Sequence, residues 1–190
     1  MKIRDSGMPR EEVWCSFFNP VETLYRLGFQ RGHDNVLDIG CGYGTFTVAA
    51  AQLTTGVVHA LDIEADMVAA TASNARSRGL RNVNPIRRDF VAEGTGLPDG
   101  SVGYAMLFNI LHAEHPESLL REVSRTMRVG GTVAVMHWIN SEQTPRGPPL
   151  SIRPRPEQCV DWLTATGFGS ISPTIDLPPF HFGLFAIRNS

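Results

Sequence analysis

Short apolar runs alternate with longer amphipathic segments along most of the chain. Four of the runs are almost continuously apolar, which is typical of strands buried on both faces of a sheet. These runs are Asn35–Ile39, Val57–Asp62, Val102–Phe108 and Thr132–Trp138. A weaker run, Val83–Arg88, contains Pro85, which has no backbone N–H to donate and therefore indicates an edge strand. The segments between the strands predict crossover helices, and hence an α/β fold with a mostly parallel sheet.

The predicted crossover helices span Tyr43–Leu53, Glu64–Arg78 and Pro116–Arg128. In the N-terminal segment, Asn19 followed by Pro20 and Glu22 predicts another helix start, with Gly28 as its end. Just before it, Trp14, Phe17 and Phe18 follow helical spacing, so we expect a short helix with one apolar face. That face either packs on the rim of the sheet or covers a ligand.

The end of the chain differs from the alternating part. Five prolines fall between Ser141 and Pro156, which predicts an extended loop. A helix is expected from Glu157 to about Thr166. The runs Ile171–Leu177 and Phe182–Arg188, separated by two prolines, predict a terminal β-hairpin.

Composition narrows the class of protein. With 190 residues, 42% hydrophobic and 19% charged, the chain suits one globular domain rather than a disordered or fibrous protein. A net charge of −2 weighs against a nucleic-acid partner. Three cysteines without CxxC spacing do not predict a disulfide framework or a zinc knuckle. Because Met1–Gly7 lacks the apolar run of a secretion signal and no segment is long enough to span a membrane, we expect a cytoplasmic protein without a membrane partner.

The most informative segment is a glycine-rich loop between the first strand and the next helix. Gly40, Gly42 and Gly44 alternate there, and Asp38 precedes the first of them by two residues. A dinucleotide fingerprint has the spacing GxGxxG, but here Thr45 follows Gly44. A carboxylate at this place favours an ammonium or sulfonium over a pyrophosphate, because unlike charges attract strongly in a poorly solvated cleft.

Two further acids follow the next two strands. Asp62 lies 22 residues after Gly40, where a carboxylate can accept hydrogen bonds from both hydroxyls of a ribose. Asp89 follows the weak strand, and it can accept from an adenine amino group while Ile63 and Phe90 enclose the ring. Acids at three successive strand ends are a more specific signal than any one of them.

These residues resemble the class I S-adenosylmethionine-dependent methyltransferases of the small, methyltransferase-domain type. The first motif is Leu37 to Gly44, the post-motif acid is Asp62, and Arg88-Asp89-Phe90 resembles the motif on the adenine side. The turns Leu97–Ser101 and Arg128–Gly131 are similar to the turns of the family before its fourth and fifth strands. The resemblance implies a Rossmann-like seven-stranded sheet with helices on both faces, in the order 3-2-1-4-5-7-6 with strand 7 antiparallel.

Under this resemblance the chain is one methyltransferase domain over residues 1–190. It divides into an N-terminal helical lid (1–34), a cofactor-binding core (35–138) and a tail (139–190) with the proline-rich loop, a helix and the terminal β-hairpin. The implied cofactor is S-adenosyl-L-methionine, with S-adenosyl-L-homocysteine as product and no metal. The residues expected at the cofactor are Asp38, Gly40, Cys41, Gly42, Tyr43, Asp62, Ile63, Asp89, Phe90 and Phe108.

The chain departs from the family at two positions. Family members carry an acid early in strand four, where this chain has Gly103 between Val102 and Tyr104. Any role of that acid is therefore absent here. The proline that usually precedes the Gly-Gly turn is replaced by Val129.

A general base is predicted at His112, which follows the fourth strand at the ligand-binding edge; a histidine that only shapes the pocket fits the same position. His112 and His115 form an HxxH pair, but no third ligand stands at a recognisable spacing, so no metal site is predicted. Trp14, Phe17, Phe18 and Arg146 are candidates for the lid and the substrate site. Arg146, Arg153 and Arg155 are either solvated charges or contacts for an anionic substrate.

The sequence therefore favours a methyltransferase that acts on a small-molecule acceptor, as a monomer or homodimer. Two alternatives stay open: an NAD(P)-dependent oxidoreductase and a cofactor-binding regulator without catalysis, which Gly103 favours. Arsenite methylation needs a cysteine cluster, which Cys15 and Cys159 form only if the fold brings them together.

Overall fold

The computed structural model describes residues 9–32 and 35–190. The secretion-signal expectation for Met1–Gly7 lies outside these residues, as do positions 1–8 and 33–34 of the predicted lid. Within the described ranges, no helix is both long and apolar enough to cross a membrane.

One sheet contains all eight described strands. They are β1 (Val36–Ile39), β2 (Val58–Asp62), β3 (Val83–Arg87), β4 (Val102–Phe108), β5 (Met127–Trp138), β6 (Phe168–Gly169), β7 (Ile175–Leu177) and β8 (His181–Arg188). The order is β3-β2-β1-β4-β5-β8-β6, with β7 paired to β8. The first five strands are parallel, whereas β8 is antiparallel to β5. The order implied by the family is confirmed, with β8 in the place of the seventh strand and Pro85 in the edge strand β3.

Seven α-helices surround the sheet in the described chain. They are α1 (Glu11–Cys15), α2 (Pro20–Arg26), α3 (Thr45–Leu53), α4 (Ala65–Ser77), α5 (Phe90–Glu93), α6 (Pro116–Thr126) and α7 (Pro156–Ala165), and a 3₁₀ turn spans Leu150–Ile152. The Asn19 side chain accepts from the Glu22 backbone N–H, as the predicted N-cap of α2 requires.

The structure corrects the predicted bounds in three places. Helix α1 ends at Cys15, so Phe17 and Phe18 follow the helix instead of sharing its face; helix α2 starts at Pro20, whose ring disfavours helical backbone just before it. Helix α6 ends at Thr126 because β5 already begins at Met127, which pairs with Val102. The predicted hairpin keeps its antiparallel pairing, but β7 is only three residues long.

The two faces of the sheet carry separate apolar cores. On β4, Tyr104, Met106 and Phe108 pack on one face with residues of α1, α2 and α3, while Ala105 and Leu107 pack on the other face with α6 and α7. The Tyr104 hydroxyl donates to the Leu27 carbonyl at 3.0 Å, which fixes the end of α2 to the sheet. This layering holds the carboxyl ends of the five parallel strands at one edge, the place where open α/β sheets bind ligands.

Candidate active site

A cavity follows that edge across five strand ends. The β3 end contributes Asp89 and the two residues after it, the β2 end contributes Asp62 and the two residues after it, and the β1 end contributes Asp38 and Gly40 to Gly42. The β4 and β5 ends contribute Phe108 to Ile110, His112 and Trp138. Trp14 of α1 lines the part of the cavity at the β4 and β5 ends, near Trp138. Every described carboxylate in the wall belongs to the β1–β3 half, so the cavity has an acidic half and an uncharged half.

The glycine loop shapes the acidic half. Gly40 has φ +73°, and a Cβ on it would lie 2.9 Å from Cδ1 of Ile110 in the opposite wall. Gly44 caps α3 with φ +80°, and a Cβ there would come within 3.0 Å of Cα of Thr71. The Thr71 hydroxyl also donates to the Gly42 carbonyl at 2.9 Å. The loop therefore needs glycine both for its turns and for the close approach of α4.

Asp38 is a buried carboxyl group at the end of β1. It is 3% exposed, and the Thr47 hydroxyl donates to it at 2.5 Å. Burial raises the pKa of Asp38 to about 7, the Thr47 hydrogen bond lowers it, and the nearby Asp62 charge adds to the rise. An arriving cation would restore the carboxylate form.

Asp62 fixes the glycine loop and the turn after β2 by hydrogen bonds to their backbones. Its carboxylate accepts from the backbone N–H groups of Gly42 at 2.9 Å and Glu64 at 3.0 Å. Ile63 and Met67 line the cavity beside it. The carboxylate oxygens have further lone pairs, so the same group can bind ligand hydroxyls.

Asp89 is the N-cap of α5, a four-residue helix that no sequence signal predicted. It accepts from the Ala92 backbone N–H at 3.1 Å. Both Asp89 and the buried Phe90 line the cavity. The structure therefore brings together all three acids expected at the cofactor, with Cys41, Ile63 and Phe108 in the same wall.

His112 lies in the wall of the uncharged half and is almost fully buried. Its Nδ1 is 3.4 Å from Nε2 of His137 on β5. Burial, and then the repulsion that a protonated His112 would exert, holds the pKa of His137 well below its usual value, so His137 is neutral. The second histidine of the HxxH pair, His115, is exposed before α6. Across residues 9–32 and 35–190, no three His, Cys, Asp or Glu residues are grouped as metal ligands.

Aromatic rings form the rest of this half. Trp14, Phe46, Phe108 and Trp138 line the cavity. The Phe46 and Phe108 rings are 4.7 Å apart, and the rings of Trp14 and Trp138 are 6.3 Å apart. Phe17 and Phe18 stand behind Trp14 and do not line the cavity.

The remaining candidates do not line the cavity. The Tyr43 hydroxyl donates to the Pro9 carbonyl at 3.3 Å, so it fixes the start of the lid. Arg146 is exposed on the proline-rich loop. Arg153 is buried: its guanidinium donates to the carbonyls of Pro148 (2.7 Å) and Ile139 (3.0 Å) and to further oxygens of the loop. Burial lowers the pKa of Arg153.

Sequence reasoning missed several cavity residues, chiefly Asn109, Ile110, Thr45, Phe46, Met67 and Trp138. Asn109 and Trp138 stand at the carboxyl ends of β4 and β5, and that position alone would have marked them as candidates.

The Methyltransferase domain family matches residues 36–131, which cover the glycine loop and all three acids. The chain belongs to this family. It is an S-adenosylmethionine-dependent methyltransferase, and this family decides against the oxidoreductase alternative.

Several known proteins are similar to parts of this methyltransferase. Aklanonic acid methyltransferase DauC of a Streptomyces species is 29% identical over 166 residues, which are 80% of this chain and 74% of that protein. The ribosomal protein L11 methyltransferase of Methylococcus capsulatus is 39% identical over 110 residues, which are 57% of this chain and 34% of that protein. A SAM-dependent methyltransferase of Aquifex aeolicus has the same fold, with a TM-score of 0.80, 24% identity and 90% of each chain covered.

Proposed function

We propose that this methyltransferase modifies a small-molecule acceptor bound in the uncharged half of the cavity. The observation that carries the proposal is the division of one cavity into an acidic half and an aromatic half. Trp14 and Trp138 enclose the second half, which suits a small molecule better than a folded macromolecule. DauC, whose name gives aklanonic acid as its acceptor, is a relative that supports a small-molecule acceptor.

The residues of the acidic half fit S-adenosylmethionine. Asp38 is a buried carboxyl group, and none of the ion pairs found in residues 9–32 and 35–190 includes it. A cationic group of the ligand would give this carboxylate a positively charged partner. A side chain at Gly40 would extend toward Ile110 and narrow the cradle beside it.

We assign these residues distinct roles. Asp38 and the loop of Gly40, Cys41 and Gly42 would hold the amino-acid end of the cofactor, Asp62 the ribose, and Asp89 with Phe90 the adenine. When bound, the cofactor supplies an electrophilic methyl group, which forms a bond to the acceptor nucleophile while the bonding pair of its S–C bond stays on sulfur. His112 would take the proton that the acceptor loses, and the aromatic walls would exclude water.

Asp62→Asn tests the cofactor half. The change weakens a hydrogen-bond acceptor for the ribose, so we expect the binding free energy of S-adenosylhomocysteine to become less favourable by about 1–3 kcal/mol. Isothermal titration calorimetry measures the effect. Asp66→Asn, on the exposed side of α4, is the matched control. Equal affinity in wild type and Asp62→Asn would remove this residue from the site.

A transfer assay tests the acceptor class. Methyl-labelled cofactor is incubated with the protein and, separately, with small metabolites, ribosomal proteins and RNA. Labelled small molecules support the proposal, whereas labelling of the macromolecules alone would overturn it. Tight binding of S-adenosylhomocysteine without any transfer would favour a regulator. Three further properties of this protein stay predictions: a cytoplasmic location, a reaction without a metal, and a monomeric or homodimeric state.

A further inference from the structure

Helix α1 contacts the uncharged half of the cavity through an aromatic ring. Its Trp14 lines that half, and the ring is 6.3 Å from that of Trp138 and 6.5 Å from that of Phe46. Trp14 is 6% exposed, so α1 buries this ring against the rings of the sheet and of α3. The shape of the uncharged half therefore depends on the position of α1.

The hydrogen bonds of α1 are made to the other half of the site. Among the described residues, three hydrogen bonds join residues 9–15 to the chain after residue 19, and their partners are Tyr43, Thr45 and Asn74. Tyr43 belongs to the glycine loop, and Thr45 begins α3 directly after that loop. The polar attachment of α1 therefore ends on or beside the segment that is proposed to hold the cofactor.

Asn74 of α4 makes the central one of these contacts. Its Nδ2 donates to Glu11 Oε1 at 2.8 Å and to the Tyr43 carbonyl at 2.9 Å, so one amide group bridges α1 and the glycine loop. On the same face of α4, Thr71 donates to the same loop and Met67 lines the cavity. This face of α4 thus extends from the cavity, along the glycine loop, to α1.

A separate cavity lies beside these contacts. Residues of α1, α2, α3 and α4 line it, among them Glu11, Cys15, Thr45 and Asn74. Because apolar packing is incomplete on this side of α1, the hydrogen bonds to Thr45 and Asn74 hold the helix there. Loss of one of these bonds should therefore loosen α1.

We infer that Asn74 is a positioning residue that couples the two halves of the site: a cofactor that fixes the glycine loop also fixes α1, and so completes the acceptor half. The inference rests on the proposed function, which places the acceptor beside Trp14. The coupling is reciprocal, because two ligands that favour one arrangement raise each other's affinity by the same factor. Its consequence is that Trp14 closes around the acceptor, and excludes water, next to a bound methyl donor.

Hydrogen–deuterium exchange tests the coupling without an acceptor. In wild type, saturating S-adenosylhomocysteine should slow the exchange of the α1 backbone amides by about fivefold or more. In Glu11→Ala and Asn74→Leu the ligand should still protect the glycine loop, whereas the protection of α1 should fall below about twofold. Glu12→Ala, at the exposed neighbouring position of α1, is the matched control and should keep the full protection.

Three results of this experiment would overturn the inference. The first is an exchange rate of α1 that the ligand does not change in wild type, and the second is full protection of α1 in both Glu11→Ala and Asn74→Leu. The third is an equal loss of protection in Glu12→Ala, because any change in α1 would then loosen it. Glu11→Ala leaves α4 and the glycine loop intact, so the experiment remains decisive if Asn74→Leu folds poorly.

The transfer assay adds a readout at the acceptor. For a small molecule that is methylated, Asn74→Leu should raise the KM of the acceptor about fivefold or more and change kcat by less than about twofold, because no reacting group is removed. A lower kcat at an unchanged KM would contradict the coupling. If no small molecule is methylated, the proposed function fails, and the exchange experiment alone decides whether Asn74 couples α1 to the cofactor.

Discussion

Asp38 is a carboxyl group whose charge depends on what occupies the cavity. Burial raises its pKa to about 7, so in the ligand-free protein it is about half protonated at neutral pH. A bound ammonium group forms an ion pair only with the deprotonated form of Asp38. Binding below pH 7 must therefore release a proton, and the affinity becomes dependent on pH.

We expect S-adenosylhomocysteine to bind about tenfold more weakly at pH 6 than at pH 8, because Asp38 is mostly protonated at the lower pH. Calorimetry in two buffers of different ionisation enthalpy measures the released proton directly. Asp38→Asn should bind weakly and lose most of the pH dependence. An affinity independent of pH in wild type would contradict the proposed contact.

The same shift has a consequence for stability. Because the folded-state pKa of Asp38 lies above the unfolded value of 3.8, its contribution to stability is present below about pH 4 and is lost as the pH rises through 7. Asp38→Asn should therefore make the ligand-free protein more stable than wild type at pH 8. Binding and stability place opposite demands on this position.

At the scale of elements, the proline-rich loop depends on one buried side chain. The Arg153 guanidinium donates to carbonyls of Pro148, Ile139 and Arg146 and to the Thr144 hydroxyl. A single planar group thus satisfies backbone oxygens from the start and the middle of the loop. From the sequence, Arg153 was expected to be either a solvated charge or a contact for an anionic substrate. Its buried position argues against the solvated charge.

Arg153→Met should destabilise the protein by about 2–4 kcal/mol, because several buried carbonyls lose their donor. Urea unfolding followed by circular dichroism measures this change. Arg155→Ala, on an exposed residue two positions later, should change stability by less than about 0.5 kcal/mol. If the two variants unfold at the same urea concentration, the loop does not depend on Arg153.

The sequence predicted the elements whose signals are local. Continuous apolar runs marked β1, β2, β4 and β5, the glycines marked the turn into α3, and Pro85 marked the edge strand. It missed the two-residue β6 and the four-residue α5, since neither is long enough to show a period. It also missed Asn109, whose side-chain oxygen accepts from Trp138 only because β5 lies beside β4 in the fold. Contacts between distant segments leave no pattern along one chain.

At the scale of the whole molecule, one ligand would touch the ends of several parallel strands. Three acids at the β1, β2 and β3 ends line the cavity with Phe108 of β4. Binding should therefore stabilise the sheet as a unit rather than one loop.

We expect S-adenosylhomocysteine at a hundredfold excess over its dissociation constant to raise the unfolding temperature by about 5–10 °C, with one cooperative transition. Differential scanning calorimetry gives both the shift and the number of transitions. NADH at the same concentration is the control and should leave the unfolding temperature unchanged. A second transition that the ligand does not move would show that the tail unfolds independently of the core.

Trp138 joins three segments that are far apart in the chain. Its ring is 6.3 Å from that of Trp14 in α1 and 4.1 Å from that of His181 in β8, and a Cβ on Gly147 would lie 3.0 Å from its Cγ. An acceptor pocket could be redesigned by grafting only a new N-terminal segment, or only a new loop. The grafted segment would then pack against a Trp138 ring whose position still depends on the original neighbours. Segments that share this tryptophan have to be exchanged together.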